Sequence, residues 1–298
     1  MRTTAIKDSL SDRVFTLLNG AFLLLVSVLV LYPLLYIVSA SFSSPSAVLA
    51  GKVWLWPVEP TLRGYAAVFE YKRVWSGFAN SIFYTGVGTL INVAITITGA
   101  YALSRKDLRG RSLVMMLCVF TMLFHAGLIP VYLVVKDLGL LDTRWSLILP
   151  TALAVWNLII ARTFFQVTIP DALLEASQID GCTDFKFFFR IVLPLSAPII
   201  AVLCLFYAVG HWNQYFQAML YLRNPELYPL QMVLRDILVR NEVDASLITD
   251  VRVAAERDGL RQLLKYALIV VASVPVLVIY PFVQKHFVKG VMIGSLKG

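Results

Sequence analysis

Six stretches of this chain contain no Asp, Glu, Lys or Arg: residues 14–42, 74–104, 112–135, 145–161, 191–222 and 266–284. A helix that crosses a bilayer needs about 20 apolar residues, with a working range of roughly 17–25, and each run reaches that range. In hydrocarbon every backbone N–H and C=O must find its partner inside its own segment, so such runs fold as helices. Only 15% of the chain is charged, against about a quarter in soluble domains. The fold class is therefore all-α, a polytopic transmembrane bundle of six spans. They are placed at about 14–42, 74–104, 112–135, 145–166, 191–222 and 263–285, in one domain with a separable first span.

The first run exceeds the roughly 7–15 residues of a secretory-signal core. It is read as a retained span, although Ser39-Ala40-Ser41 superficially suits a cleavage site. The net charge of +8 is spread over loops between apolar spans, where anionic headgroups and the positive-inside bias account for it without nucleic acid. Cys118 and Cys204 fall in spans and Cys182 in a loop, with neither disulfide partners nor zinc-ligand spacing. No metal cluster, GxSxG or Walker A sequence is present; the chain is not an enzyme and cannot hydrolyse ATP by itself. Six spans place both termini on one side. Counting basic residues gives a tie, half of the 26 Lys and Arg on each side, and the dense 105–111 loop RKDLRGR weakly favours termini inside.

Between the fourth and fifth spans lies a polar island, EASQIDGCTDFKFFFRIVLP at 175–194. Pro170 and Asp171 mark a helix start, and Ala172, Ala176 and Ile179 recur at helical spacing. Gly181 permits a reversal. A second short helix starts at Thr183 and carries Phe185, Phe188 and Phe189 as an apolar anchor, while Pro194 and Pro198 kink the entrance to span five. A helix pair resting on the membrane surface is the plainer reading; sparse basic character and the particular spacing weigh against it.

That spacing resembles the EAA loop of ABC importer permeases, with Ser177 in place of the usual second Ala. The resemblance extends over nearly the whole chain. GLIPVYLVVKDLGLLDT at 127–143, WNQYFQ at 212–217 and the tail QKHFVKGVMIGSLKG are similar to motifs of the carbohydrate-importer branch that includes the maltose permease subunits. NPELYPLQMVLRDIL and the VKG tail look like the sub-branch for oligo- and polysaccharides, with alginate-type and other uronate importers among its relatives. The resemblance implies a type I ABC importer permease fold in a bacterial inner membrane, with cytoplasmic termini. It implies that loop 168–190 docks on an ATPase through Glu175, Ala176, Ser177, Asp180, Gly181, Phe185, Ile191, Leu193 and Pro194. It further implies that the tail, with Lys289, Gly290 and Gly294, reaches the ATPase subunits. The implied partners are a second homologous permease, two ATP-binding subunits that use ATP and Mg, and an extracytoplasmic solute-binding protein; this chain itself binds no cofactor. A similar permease for a non-sugar solute and an independent secondary carrier stay open as alternatives. The lack of Asp, Glu, Lys and Arg inside the six runs weighs against the carrier.

Span five is richest in polar groups. Trp212, Asn213, Gln214, Tyr215 and Gln217 follow His211, and an aromatic platform beside amides suits the C–H faces and hydroxyls of a carbohydrate. The same groups equally suit hydrogen bonds between helices. His125 is a further path candidate, though a lone histidine on an apolar helix favours a structural role; Asn92 and Asn157 are assigned to packing. Leu230, Val233, Leu234, Ile237 and Leu238 predict an amphipathic helix in the outer segment 223–262, either a seat for a binding protein or a lid.

Overall fold

The computed structural model describes residues 9–240 and 259–279. Lys289, Gly290 and Gly294, the end of the sixth run and the connection at 244–258 lie outside the described residues. The described residues are mostly helical and contain no strand. They divide into two compact units: 9–70 with 238–240 and 259–271, and 71–237 with 272–279.

In the first unit, α1 (Leu10–Ser41) starts at a capping box in which Ser9 and Asp12 bond each other's backbone N–H. Its side chains as far as Val38 are largely exposed and apolar on all sides, as a lipid-facing helix requires. The Ser39-Ala40-Ser41 triplet is buried. Ser39 Oγ donates to the Leu55 carbonyl at 2.6 Å, and Ser41 Oγ meets the Tyr65 hydroxyl at 2.9 Å. Two short helices follow, α2 (Pro45–Leu49) and α3 (Arg63–Glu70).

The second unit is organised around α4 (Lys72–Ser104), which packs on α7 (Val155–Thr168) and α11 (Ala197–Trp212). Ile97, Ala100 and Leu103 of α4 meet Leu158, Ala161 and Phe165 of α7 and Leu203 and Tyr207 of α11 in the core. Where α4 crosses α11, Gly88 lies against the imidazole of His211, and a Cβ there would sit 2.5 Å from Nε2. A small residue at such a crossing lets two backbones approach closely. Around it, Asn92 Nδ2 donates to the Thr151 carbonyl at 3.1 Å and contacts His211 Nε2 at 3.2 Å, and Thr96 Oγ1 meets the Tyr207 hydroxyl at 2.7 Å.

Among the described residues, three helices are individually long and apolar enough to span: α1, α4 and α14 (Gly259–Ile279). The other three runs are bent pairs. Run 112–135 is broken into α5 (Arg111–Leu123) and α6 (Leu128–Asp137), bent by 115°. Gly127 between them has φ +84°, a value L-residues avoid, so α5 extends only about 20 Å at 1.5 Å per residue. Arg144–Thr151 and Val155–Thr168 bend by 50° across the break at 152–154, and Asp184–Leu195 and Ala197–Trp212 bend by 76° at Ser196. Counted as one span each, the pairs bring the total to six. The fifth run ends in α12 (Phe216–Tyr221), and α13 (Leu230–Arg240) follows at the predicted amphipathic helix.

Gly88→Ala should push His211 from its place and lower the stability of the purified protein by about 1–3 kcal/mol, the range for overpacking a filled site. Thermal unfolding in detergent measures this. Adding His211→Ala should recover part of the loss, because the two changes share one contact.

Candidate functional site

The polar island folds as two helices about a glycine. The first, α8 (Asp171–Ile179), ends in a Schellman motif: Gly181 N–H donates to the Gln178 carbonyl at 3.0 Å and Cys182 N–H to the Ser177 carbonyl at 2.9 Å. Gly181 supplies the left-handed residue, at φ +71°, and a Cβ there would meet nothing within 4 Å. Its requirement is conformational, not steric. The second, α9 (Asp184–Phe187), is capped by Thr183, whose side chain accepts from Lys186 N–H.

The small residues of the island divide between two faces. Ser177 is buried and returns its hydroxyl to the Leu174 carbonyl at 2.7 Å, so a small side chain is what fits. Glu175, Ala176, Asp180 and Gly181 are exposed. Ile179 is 86% exposed and Phe185 80% exposed. Phe185 and Phe189 therefore do not anchor the loop to its own core. Phe187, which the sequence reading passed over, is the fully buried ring, with Phe188 partly buried. Ile191 and Leu193 pack partly buried against the same core, and Pro194 is exposed.

At Phe188–Val192 the helix widens into a π-turn and runs on into the short α10 (Leu193–Leu195). Pro194 has no N–H to give and its ring crowds the preceding turn; a wider turn accommodates that. Ser196 Oγ then donates to the Val192 carbonyl at 2.6 Å, while its backbone N–H bonds the Leu193 carbonyl at 3.0 Å. One continuous path of chain thus joins the second island helix to α11.

Besides the buried Phe187, the basic loop after α4 also ties down the island. Arg105 Nη1 bonds Asp184 at 2.6 Å, in the first turn of α9. Its Nε and Nη2 grip Asp107, and Arg111 Nη1 donates to the Arg105 carbonyl at 2.9 Å. Lys106 Nζ bonds Asp171, in the first turn of α8. Both helix starts are tied to the end of α4 by carboxylates that also complement the helix dipoles. The Asp107 bond, opposed by burial and helped by Asp184, holds the Arg105 guanidinium more firmly charged than usual. The same bond draws the Asp107 carboxyl below its ordinary value of 3.8. A cleft of about 830 Å³ opens between the basic loop and the island, lined by Arg105, Lys106, Arg111, Asp171, Glu175 and Gln178. The clustered charge of RKDLRGR was the available signal for this clamp; its partners 65 and more residues away were not readable from spacing.

The candidates of span five do not form one patch. Trp212 is buried, with its indole N–H on the Ala272 carbonyl at 2.9 Å and Phe78 edge-on to its ring. Gln214 is buried and donates to the Leu147 carbonyl at 2.9 Å. Asn213 and Tyr215 are exposed, Gln217 is partly exposed, and His125 is exposed on the break between α5 and α6. Asn92 and Asn157 are buried. No cluster of metal-ligating side chains occurs among the described residues.

The pattern of a protein family described as the binding-protein-dependent transport system inner membrane component matches residues 91–293. The chain is 44% identical to the polygalacturonan/rhamnogalacturonan transport system permease protein YtcP of Bacillus subtilis (strain 168), covering 97% of this chain and 100% of that protein. It is also 44% identical to Protein LplC of the same organism, over 97% of this chain and 96% of that one. Among solved structures it resembles a chain of a bacterial ABC transporter involved in the import of the acidic polysaccharide alginate. The TM-score is 0.86 at 36% identity, over 95% of this chain and 100% of that chain.

Arg105→Gln and Asp184→Asn should each loosen α8 and α9, seen as faster amide exchange across 171–187. A double-mutant cycle should return a coupling of about 1 kcal/mol or less, since Asp184 is largely in water. Strictly additive effects would show that the clamp carries no load. Because the Asp107 carboxyl is drawn down, its share of the stabilisation is present above the ordinary 3.8 and disappears as pH falls through its folded value. Amide protection across the loop should fall in that acid range and hold at neutral pH.

Proposed function

This chain belongs to the family of binding-protein-dependent transport system inner membrane components, and we propose that it is one of two permease subunits of an ATP-driven bacterial importer for oligo- or polysaccharide. The observation that carries the coupling part is the face of the 171–187 island. Ile179 and Phe185 stand almost wholly exposed on either side of a glycine turn whose helices are braced from behind by Arg105 and Lys106. Apolar side chains held out on a rigid polar element suit a partner surface. Glu175, Ala176, Asp180 and Gly181 complete that face. The partner in this reading is an ATP-binding subunit, one of two, which binds ATP and Mg and is the seat of hydrolysis; this chain is not catalytic.

A carbohydrate cargo is supported by the transport roles of the similar proteins, and among them polygalacturonan and alginate make a uronate-containing saccharide the favoured class. A homologous permease would complete the path, and an extracytoplasmic binding protein would deliver the saccharide. Asn213 and Tyr215, exposed beside the end of α11, are the favoured path residues, with Trp212 and Gln214 holding the helix that presents them. Alternating access follows if closure of the ATPase pair pulls the island: the bent helix from Asp184 through Trp212 transmits the displacement to the spans. The termini then lie on the cytoplasmic side of the inner membrane with the island.

Reconstitution tests this. Uptake of tri-galacturonate into proteoliposomes should require ATP, the ATPase subunits, the second permease and the binding protein, and the chain alone should give none. Gly181→Val, which forces a β-branched residue to positive φ, should reduce uptake about tenfold for a strain of roughly 1–2 kcal/mol, with the protein still in the membrane. Uptake by the chain alone, or full uptake by Gly181→Val, would sink the proposal.

A further inference from the structure

At 33 residues, α4 is about 50 Å long at 1.5 Å per residue, more than the roughly 40–45 Å of a bilayer with its headgroups. Its last residues hold the island through Arg105; its first residues therefore emerge on the opposite membrane face. There a cleft of about 780 Å³ is lined by Lys72, Arg73, Ser76, Asn80, Arg144 and Glu226, among others. Three cations face one acid.

The floor of this cleft is built rigidly. Asn80 is buried and donates to the carbonyls of Glu226 at 2.6 Å and Tyr228 at 3.1 Å, leaving its Oδ1 to accept from Arg144 Nη2 at 3.1 Å. The Arg144 guanidinium also lies 4.6 Å from the Phe83 ring centroid, a cation–π distance. Only one of its five N–H donors is taken up by Asn80, and the planar fork that remains matches a carboxylate. Among the described residues, Lys72 and Arg73 form no ion pair.

We propose that this outer cleft receives the carboxylates of an acidic saccharide, with Arg144 as the fixed reader and Lys72 and Arg73 as steering charges. The inference rests on the carbohydrate-import reading and deepens it. The charge-free runs in the membrane offer an anionic cargo no counter-ion. Cations at the mouth raise its local concentration and speed its arrival, and their absence further in leaves nothing to trap it. The cleft's volume falls within the roughly 300–1,000 Å³ of small-ligand sites, and its cations line a concavity. A protein partner would instead need a broad surface of about 800 Å² per side.

The test is equilibrium binding to the full chain in phosphatidylcholine nanodiscs, without ATP, ATPase or binding protein. Tri-galacturonate should bind, and binding should weaken as salt rises. Lys72→Gln/Arg73→Gln, both exposed and outside the built floor, should weaken it about tenfold as two exposed ion pairs are lost. Arg144→Gln should weaken it further, and neutral galactotriose should not bind. Equal binding of galactotriose, or tri-galacturonate affinity unchanged by Lys72→Gln/Arg73→Gln, overturns the proposal. So does binding of a polyglutamate peptide in place of the saccharide, which would assign the cleft to an acidic protein surface. Displacement of tri-galacturonate by phosphatidylglycerol doped into the disc would assign it to lipid and equally overturn it. A negative result here leaves ATP-driven uptake to stand or fall on its own measurement.

Discussion

The close approach of α4 to α11 at Gly88 and His211 is the contact on which the second unit depends. A glycine on one helix makes room for an imidazole on the other, and Asn92 bridges that imidazole to the Thr151 carbonyl at a break in the neighbouring span. Three spans are held at one point by groups that have no water to fall back on. Between helices in hydrocarbon the apolar side chains gain little from each other that lipid would not supply. Close packing and polar contacts between helices set the arrangement instead.

From that crossing α4 runs out of the membrane at both ends, and each end organises a polar layer. At one end Arg105 and Lys106 reach the first turns of both island helices. At the other, Asn80 and Arg144 knit the 224–228 segment to the helix start, and Asp142 accepts the N–H groups of Arg223 and Asn224. Those two N–H bonds, Asn224 first, draw the Asp142 carboxyl below its usual range. A single rigid helix therefore ties the face that would meet an ATPase to the face that would meet the cargo.

The breaks in the spans follow the same physics. Backbone groups freed at a proline or at a positive-φ glycine must be satisfied nearby. At the 76° bend the hydroxyl of Ser196 takes the Val192 carbonyl while its own N–H bonds the Leu193 carbonyl. That bend sits where the island passes into α11, so a displacement of the island has a mechanical route into the membrane.

Much of this was legible from residues alone. Charge-free runs marked six segments of membrane length, because the bilayer imposes a length and forbids charge. Pro170, Asp171, Gly181 and Thr183 marked the two island helices, because caps and turns are local chemistry. The 115° break in run 112–135 was not visible in an unbroken apolar pattern, nor was Phe187, not Phe185, as the anchor, since both lie on a helix of four residues where phase is undetermined. Trp212 and Gln214 shared a motif with Asn213 and Tyr215, yet the first two turn inward and the second two outward. Partners distant in sequence, Arg105 with Asp184 and Asn80 with Glu226, were settled only when the helices came together. Local rules specify which segments are helical and where they stop; which side chains meet depends on helix rotation and crossing, and these are fixed by packing between segments far apart in the chain.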